Sequence, residues 1–402
     1  MIRKESSEGI GYSVVELDTT RHILAAAAPR EGNTLREQAH DALKTIRALM
    51  DEESTRGSIV RQAVFMRDID QIEACRQLIH EFYGDDLPAT SYIPQPPCEG
   101  KLIEIEALGV GGNGGTDIRR HCERMVVSQH EGIAWAHLAN VCPKADGMSV
   151  YDQSVYIFEN AAARLSEKGF SFDQVIRTWI YIGDIVGPEG ETQRYKELNR
   201  ARTDLYEEIK FKASSALSGA TRAVYPASTG IGTEGKNVAL SCMALSSQRD
   251  DISWVPLENP LQTSAFDYGT KYGRKSPKFA RAMTIACGDM ATILVSGTAS
   301  IIDAETKFVG DVEGQTRQTL DNIAALIDEE NHARHGLPGL GATLADVGLV
   351  RVYVKCQEDY AKTKAVCESM LGEVPTIYVV ADVCRDDLLV EIEAMAFTQR
   401  SS

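Results

Sequence analysis

Alternating apolar and acidic residues form one short segment that occurs twice in the chain. Residues 102–107 read Leu-Ile-Glu-Ile-Glu-Ala, and residues 389–394 read Leu-Val-Glu-Ile-Glu-Ala. Strict alternation of this kind is typical of a β-strand whose two faces meet different surroundings. Its recurrence far along the chain indicates an internal repeat, and both copies place carboxylates on one face of a strand.

Hydrophobic periodicity around these segments predicts three units with similar elements. In the first unit, strands are predicted at 12–17, 23–28, 59–65 and 102–110, and helices at 35–50 and 69–83. In the second, strands are predicted at 134–139, 175–182 and 237–245, and helices at 150–168 and 192–208. In the third, strands are predicted at 291–296, 347–355, 376–383 and 388–397, and helices at 312–330 and 360–371.

The order of these elements predicts an α+β fold. Each unit reads β-β-α-β-α-β, with a further strand in the third, so one mixed sheet carries two helices on one face. Domains are predicted at residues 1–112, 113–250 and 251–402. The Gly-rich stretch 111–115 and the stretch 248–276 are predicted to be linkers.

The last strand predicts how the sheets are covered. Val390 and Ile392 share the face that packs on the helices, whereas Glu391 and Glu393 share the opposite face with Met395. A sheet with helices on one face leaves its second face to be covered, which predicts an interface between units. Three units in one chain can close a ring as a pseudo-trimer, and a homo-oligomer is the alternative.

Composition and net charge exclude some classes of binding partner. The chain of 402 residues has 43% hydrophobic and 25% charged residues, which is typical of globular proteins. Its net charge of −16 argues against nucleic acid and against an acidic membrane surface. A small anion is still compatible with a locally positive pocket. Therefore we expect a small molecule as the partner, rather than nucleic acid or a membrane.

The sequence contains no pattern typical of a membrane span, a metal site or a redox centre. No apolar run approaches the roughly 20 residues of a membrane span, and the first residues lack the apolar core of a signal peptide. Nine cysteines are scattered without a C-x-x-C pair, and eight histidines are dispersed. The cysteines are interpreted as reduced thiols of a cytoplasmic protein, with no metal and no cofactor.

The repeated strand and its element order resemble the YjgF/RidA family, also described as endoribonuclease L-PSP-like. That family forms trimers with ligand sites between neighbouring subunits. Its imine deaminases hold the substrate carboxylate with an arginine shortly before the acidic strand, but residues 88–92 and 375–378 contain none. An enamine/imine deaminase is therefore kept as an alternative function. An endoribonuclease role agrees poorly with the negative charge.

A resemblance to the chorismatases, which include 3-hydroxybenzoate synthases, covers residues 125–398. It implies two RidA-like domains, without a counterpart for residues 1–112. Two positions depart from the family pattern, because Lys355 and Leu261 stand where arginine is usual. Lysine lacks the bidentate fork of arginine, so the expected substrate is chorismate or a close analogue. Seven segments carry the resemblance, at 175–182, 194–202, 225–233, 258–273, 276–282, 295–301 and 381–393.

The chorismatase resemblance implies an enzyme that cleaves the enolpyruvyl ether and releases pyruvate. Protonating the enol methylene requires a carboxylic acid of raised pKa, and Glu391 matches the family's catalytic glutamate. Cys384 matches a cysteine associated with the branch that yields 3-hydroxybenzoate, and a turn must intervene for it to meet Glu391. The expected substrate-binding residues are Arg385, Tyr272, Gly297, Thr298, Arg202 and Tyr195.

Each candidate also has a structural interpretation. The structural alternative for Glu391 is a solvated carboxylate on a strand face, which is also the interpretation of Glu106. The structural alternative for Cys384 is an inert buried thiol. The two arginines could instead be ordinary surface residues, and the two tyrosines could serve in packing. The Gly-Thr pair could instead form a tight turn. Glu393 is interpreted as structural, and Glu104 as structural or part of a vestigial site. A non-catalytic protein that binds small carboxylates is the third functional alternative.

Overall fold

The structure, a computed structural model, describes residues 2–17, 19–55, 58–112, 115–145, 147–212, 224–269 and 273–400. These residues form three six-stranded sheets, each with helices on one face. In this part of the chain no helix has the length and apolar character that a membrane crossing requires.

The first sheet is formed by residues before the Gly-rich stretch. Its strands are β1 (Ile2–Ser7), β2 (Ile10–Leu17), β3 (Thr20–Ala27), β4 (Ile59–Met66), β5 (Ala89–Ile93) and β6 (Ile103–Gly112). Its helices are α1 (Leu35–Glu52) and α2 (Ile72–Tyr83). Thr34 caps α1 through a capping box with Glu37, and Asp68 caps the short 3-10 turn that leads into α2.

The second sheet follows the same plan. Its strands are β7 (Asp117–Cys122), β8 (Met125–His130), β9 (Ile133–Val141), β10 (Val175–Gly183), β13 (Ala227–Thr233) and β14 (Val238–Ser247). A separate hairpin is formed by β11 (Pro188–Glu189) and β12 (Thr192–Gln193). The helices are α3 (Val150–Ser166) and α4 (Arg194–Tyr206).

The third sheet completes the repeat. Its strands are β15 (Ile252–Leu257), β16 (Ala282–Cys287), β17 (Met290–Ala299), β20 (Val347–Val354), β21 (Thr376–Val380) and β22 (Val390–Gln399). A second small hairpin is formed by β18 (Ile301–Ile302) and β19 (Glu305–Thr306). The helices are α5 (Val312–Ile327), α6 (Glu329–Arg334) and α7 (Tyr360–Leu371).

All three sheets have the same topology. Their strand orders are β1-β2-β3-β6-β4-β5, β7-β8-β9-β14-β10-β13 and β15-β16-β17-β22-β20-β21. In each sheet the last two strands of this order are parallel, and the other neighbours are antiparallel. The predicted α+β fold with three tandem units is confirmed. We propose domain boundaries at 1–112, 113–250 and 251–402, because each sheet and its helices lie within one range.

The prediction of the strands and linkers was incomplete. The edge strand β1 is largely exposed and has no apolar run, and β15 contains Pro256, which an edge strand tolerates. The stretch 248–276, predicted to be a linker, therefore contains a strand. Gly111 and Gly112 of the other predicted linker end β6, while residues 113–114 lie outside the described residues.

The helix predicted at 312–330 is also interrupted. Helix α5 ends at Ile327, and Asp328 has an extended backbone with ψ of 164°. The Asp328 side chain accepts a hydrogen bond from the Asn331 backbone N–H at 2.7 Å, which caps α6. Residues 328–332 contain no apolar side chain, so the break falls where the apolar periodicity ends.

The alternation predicted for the last strand is confirmed. Val390, Ile392 and Ala396 belong to the core between the third sheet and its helices. Met395 and Phe397, on the opposite face of β22, belong to a different apolar cluster. The period of two in a strand thus separates two cores.

The second apolar cluster joins all three sheets. Leu24 from the first sheet, Trp179 from the second and Leu294 from the third are buried in it. The faces of the sheets without helices therefore cover one another within a single chain. This arrangement is the pseudo-trimer expected from the sequence, with one shared core and three outer cores between sheets and helices.

Buried charges cross this shared core. Arg351 on β20 forms a two-pronged ion pair with Glu106 on β6, and its Nη2 lies 2.7 Å from Oε1. Its Nη1 lies 3.2 Å from Glu393 and 3.2 Å from the hydroxyl of Tyr181 on β10. Arg351 thus connects the three sheets. Arg61 adds a second ion pair to Glu106 at 3.0 Å.

Glu393 is held from the second sheet. Its Oε2 accepts a hydrogen bond from Arg177 at 2.9 Å, and its Oε1 accepts one from the Trp179 indole at 2.8 Å. Burial opposes ionisation of Glu106, but Arg351 and Arg61 outweigh it and lower the pKa of that carboxyl. Glu106 is therefore a buried ion-pair partner, contrary to its interpretation as a solvated carboxylate.

Replacing Arg351 by methionine tests this network. The Arg351→Met variant leaves two carboxylates without their shared cation, and removal of one partner from a buried ion pair costs about 3–5 kcal/mol. We expect a clearly lower urea midpoint in unfolding followed by circular dichroism. Arg334→Met, at an exposed pair with Glu330, serves as the control with little change. Equal midpoints for the two variants would contradict a stabilising role.

Candidate active site

A cavity of about 230 Å³ lies between the second and third sheets. Helix α4 and strand β13 of the second sheet form one side, and β17 and β22 of the third sheet form the other. The loop between β21 and β22 and the segment before β16 complete it. The cavity therefore exists only because the two units pack together.

The structure brings most of the sequence-predicted residues to this cavity. Two predicted residues are exceptions: Thr298 is buried without lining the cavity, and Tyr272 lies outside the described residues. The predicted residues that line the cavity are Glu391, Cys384, Arg385, Gly297, Arg202 and Tyr195.

Glu391 lies on β22 with only 5% of its surface exposed. Burial, with a smaller contribution from the negative charge of Glu393, raises the pKa of the Glu391 carboxyl to about 8, although Arg177 and Arg281 oppose the shift. No hydrogen bond to this carboxyl is found within the described residues. At neutral pH Glu391 is therefore a protonated acid at the cavity wall.

A bulge in β17 makes room for this acid. Val295 pairs with Ala394 but Thr298 pairs with Ile392, so two residues of β17 stand opposite one residue of β22. A Cβ atom on Gly297 would lie 2.0 Å from the Glu391 Oε1 atom. Only glycine fits at position 297 while the Glu391 side chain keeps this orientation.

The Gly297-Thr298 pair does not offer its donors in the way the sequence suggested. The backbone N–H of Gly297 donates to the Thr229 hydroxyl at 2.9 Å. The Thr298 hydroxyl donates to the Ser296 carbonyl at 2.9 Å. Both donors are therefore already bonded within the protein. Gly297 contributes to the site by leaving room for the Glu391 carboxyl, not by donating a hydrogen bond to a ligand.

Cys384 reaches the cavity from the loop between β21 and β22. Strand β21 ends at Val380, earlier than predicted, and the chain turns before β22 begins at Val390. In a continuous strand Cys384 and Glu391 would lie on opposite faces. Because the chain turns between them, both side chains can line the same cavity. Burial, with the nearby Glu391, raises the pKa of the Cys384 thiol to about 12, so the thiol is protonated at neutral pH.

Four cationic side chains line the cavity although the chain carries a net charge of −16. In the part of the chain that the structure describes, Asp386 is the one acidic lining residue besides Glu391. Positive charge therefore dominates this cavity, which suits an anionic ligand. The cationic side chains are those of Lys196, Arg202, Arg281 and Arg385.

Two of these arginines are buried with a free donor. Arg202 donates to Asn199 at 2.5 Å and to Ser228 at 3.3 Å, and Arg281 donates to the Thr263 carbonyl at 2.9 Å. The Nε atoms of Arg202 and Arg281 have no hydrogen-bond partner among the described residues. Such donors suit a bound carboxylate.

Arg281 and Tyr268 were missed as site residues in the sequence analysis. The Tyr268 hydroxyl accepts a hydrogen bond from Arg281 at 2.7 Å, and both residues line the cavity. Arg281 belongs to a segment that carried the family resemblance, which was the available signal. Tyr268 lies four residues before Tyr272, the tyrosine that the family resemblance indicated in this segment.

Tyr195 closes the side formed by α4. A Cβ atom on Gly230 would lie 3.1 Å from the Tyr195 ring, so the ring packs directly on the backbone of β13. Burial raises the pKa of the Tyr195 hydroxyl, which keeps it protonated. Tyr195 thus presents a neutral hydrogen-bonding group in the same cavity as Arg202.

The two departures from the family pattern are not among the lining residues of the cavity. Lys355 is paired with Asp382 at 3.1 Å and donates to the Asp386 carbonyl at 3.1 Å. It therefore supports the loop that carries Cys384. Leu261 is partly exposed, at 38%.

Known proteins match both the fold and the sequence. The family described as Endoribonuclease L-PSP matches residues 276–398. A crystal structure of a chorismatase has a TM-score of 0.64 and 23% identity, covering 85% of this chain and 93% of that one. Coverage of 85% of 402 residues leaves about 60 unmatched, so the likeness in fold extends into residues 1–112.

Curated relatives give closer sequence matches. A 3-hydroxybenzoate synthase of Streptomyces hygroscopicus is 34% identical over 56% of this chain and 64% of its own length, slightly less than two thirds. A chorismatase of the same organism is 32% identical over 68% of this chain and 77% of its own length. A chorismatase of Streptomyces rapamycinicus is 32% identical over 66% and 77%. The chain belongs to the chorismatase family of enzymes.

Proposed function

We propose that this enzyme cleaves the enolpyruvyl ether of chorismate, or of a close analogue, and releases pyruvate. One observation carries the proposal: a buried, protonated Glu391 faces a cavity in which cationic side chains predominate. The names of the relatives, chorismatase and 3-hydroxybenzoate synthase, support the same substrate class.

The proposed reaction begins with proton transfer. The Glu391 carboxylic acid gives its proton to the methylene carbon of the enolpyruvyl group, which leaves an oxocarbenium centre beside the ether oxygen. The positive charge that forms there is stabilised by the Glu391 carboxylate left behind. A general acid of pKa near the working pH suits this step.

Water completes the proposed hydrolysis. It adds to the oxocarbenium carbon and loses a proton, which restores the acid, and the resulting hemiketal collapses. The ether carbon–oxygen bond breaks, pyruvate leaves, and the ring oxygen takes the remaining proton. In the other branch the neighbouring ring hydroxyl attacks the oxocarbenium carbon and returns its proton to Glu391. Loss of the ring proton beside the ether oxygen then breaks the bond between the ring and the former hydroxyl oxygen. Pyruvate leaves with that oxygen, and the aromatic ring keeps the ether oxygen as 3-hydroxybenzoate. The resemblance of Cys384 to the family cysteine favours testing for both products.

The arginines have a separate role in the proposal. Chorismate carries two carboxylates, and Arg202, Arg281 and Arg385 offer charge-assisted hydrogen bonds to them. Arg385 also donates to the Ala304 carbonyl at 2.9 Å, which fixes its position. Holding the substrate carboxylates orients the enol methylene towards Glu391.

The Glu391→Gln variant tests the proposed acid. Glutamine keeps the shape but has no proton to give, so we expect kcat for pyruvate release from chorismate to fall roughly 10²- to 10⁴-fold. Coupling pyruvate to lactate dehydrogenase measures the rate. Glu104→Gln is the matched control, since Glu104 is also buried and has the equivalent strand position, and it keeps full activity. Full activity of Glu391→Gln overturns the assignment, and no pyruvate from the wild type overturns the function.

We expect kcat for pyruvate release to decrease as the pH rises. Only the protonated form of Glu391 donates, and its pKa is raised to about 8, so activity is present below pH 8 and is lost as pH rises through it. We expect kcat to fall up to about tenfold per pH unit above this point. A pH profile of kcat measures it, and the residual rate of Glu391→Gln should lack the same limb. A rate that increases through pH 8 contradicts the proposal.

Removing one substrate-binding arginine should weaken binding more than chemistry. A hydrogen bond to a charged group contributes about 1.5–3 kcal/mol, so Arg385→Met should raise KM for chorismate roughly 10- to 100-fold. Initial rates at several substrate concentrations separate KM from kcat. Arg334→Met, distant from the cavity in sequence and exposed, is the control. An unchanged KM excludes Arg385 from carboxylate binding.

A further inference from the structure

A second cavity, of about 600 Å³, lies between the first and third sheets. Helix α7 and strand β21 of the third sheet form one side. Residues of β1, β2 and β3, together with Glu104 on β6, form the other. Gly11 allows close contact there, since a Cβ atom on it would lie 3.2 Å from Pro375.

The repeat makes this cavity the counterpart of the active-site cavity. Glu104 pairs with Phe65 on β4, and Glu391 pairs with Tyr353 on β20, at the same distance from the bulge in each strand. In both cases the neighbouring unit contributes its parallel edge strand and the helix that precedes this strand, α4 in one cavity and α7 in the other. The equivalent residue of the second sheet is Ala239, which has no carboxyl group.

Glu104 is an unpartnered acid at the wall of this cavity. It is 5% exposed, and no hydrogen bond to its carboxyl is found among the described residues. Burial, with a contribution from Glu99, raises its pKa to about 8. A buried polar group without a partner is costly, and a ligand in the cavity would supply one.

The charge of the lining is opposite to that of the active-site cavity. Among the described residues Lys364 is the single cation of the lining, and it is already paired with Glu99 at 2.9 Å. Glu5 is paired with Arg3, which is not a lining residue. The lining therefore attracts cations rather than carboxylates. Its five acidic residues are Glu5, Glu99, Glu104, Glu368 and Glu373.

Apolar surface accompanies these acids. Leu371 and Tyr378 are buried, and Val374 and Pro375 continue the apolar side of the cavity. The alanines of β3 face them across the cavity. A ligand that fits both features has a positive group and an apolar body.

We propose that the second cavity binds a small organic cation, an ammonium with an apolar body, whose charged group lies against the Glu104 carboxyl. The proposal is independent of the reaction at Glu391. It concerns a different pair of units and a ligand of opposite charge.

Proton release is expected on binding. Glu104 is mostly protonated at pH 7, and an ammonium beside it favours the ionised form, so the proton leaves as the ligand binds. Titrations in two buffers that differ in ionisation enthalpy count this proton. The titratable groups that face Glu104 are Glu99, Lys101, Lys364, Cys98 and Tyr360.

Isothermal titration calorimetry with 2-phenylethylamine tests the proposal on the full chain. We expect saturable binding of this amine, with proton release, and no binding of 3-phenylpropionate, which has a similar body and the opposite charge. Glu104→Gln should bind the amine roughly 10- to 100-fold more weakly. Glu373→Lys, at an exposed lining position, should also weaken binding, and its exposure protects folding.

The controls separate this site from the reaction. Glu391→Gln should bind the amine like the wild type, and Glu104→Gln should turn over chorismate like the wild type. No binding of the amine to the wild type, equal affinity in Glu104→Gln, or preference for 3-phenylpropionate overturns the proposal. None of these results affects the assignment of Glu391, which depends on pyruvate release alone.

Discussion

The ion pairs of Arg351 hold the centre of the molecule together. This one guanidinium contacts Glu106 of the first sheet, Glu393 of its own sheet and Tyr181 of the second. Buried charges are tolerated only when they are paired with good geometry, so the three sheets must meet in one arrangement. The surrounding apolar cluster supplies the driving force, and the ion pairs supply the orientation. Both cavities depend on that arrangement, because each lies between two sheets.

The same strand carries two carboxyls in different surroundings, two residues apart. Glu393 points into the ion-pair network, whereas Glu391 lies at the cavity wall without a hydrogen-bond partner among the described residues. The charge of Glu393 adds to burial in raising the pKa of Glu391. Glu106 and Glu104 repeat the pattern in the first sheet. The surroundings thus raise the pKa of the Glu104 carboxyl and lower the pKa of the Glu106 carboxyl, although the two groups have identical chemistry.

The repeat also explains how two equivalent cavities acquire linings of opposite charge. The acid on the closing strand is the same in both, and the unit that carries this acid and the neighbouring unit both contribute to the lining. Arg202 on α4 of the neighbouring unit and Arg281 of the acid's own unit line one cavity. Glu368 on α7 of the neighbouring unit and Glu99 of the acid's own unit line the other. Residues of both units therefore determine the charge of each lining.

The sequence by itself determined the three units, most helices and the two faces of the last strand, because periodicity is a local signal, and the family resemblance made Glu391 a candidate acid. Only the tertiary structure showed the edge strand β15, the break at Asp328 and the place of Arg281. Edge strands lack a clear apolar pattern, and apolar spacing does not encode the hydrogen bond by which Asp328 caps α6. The ion pairs of Glu106 and the cavity beside Glu104 arise where distant units meet, and no spacing along the chain encodes that contact.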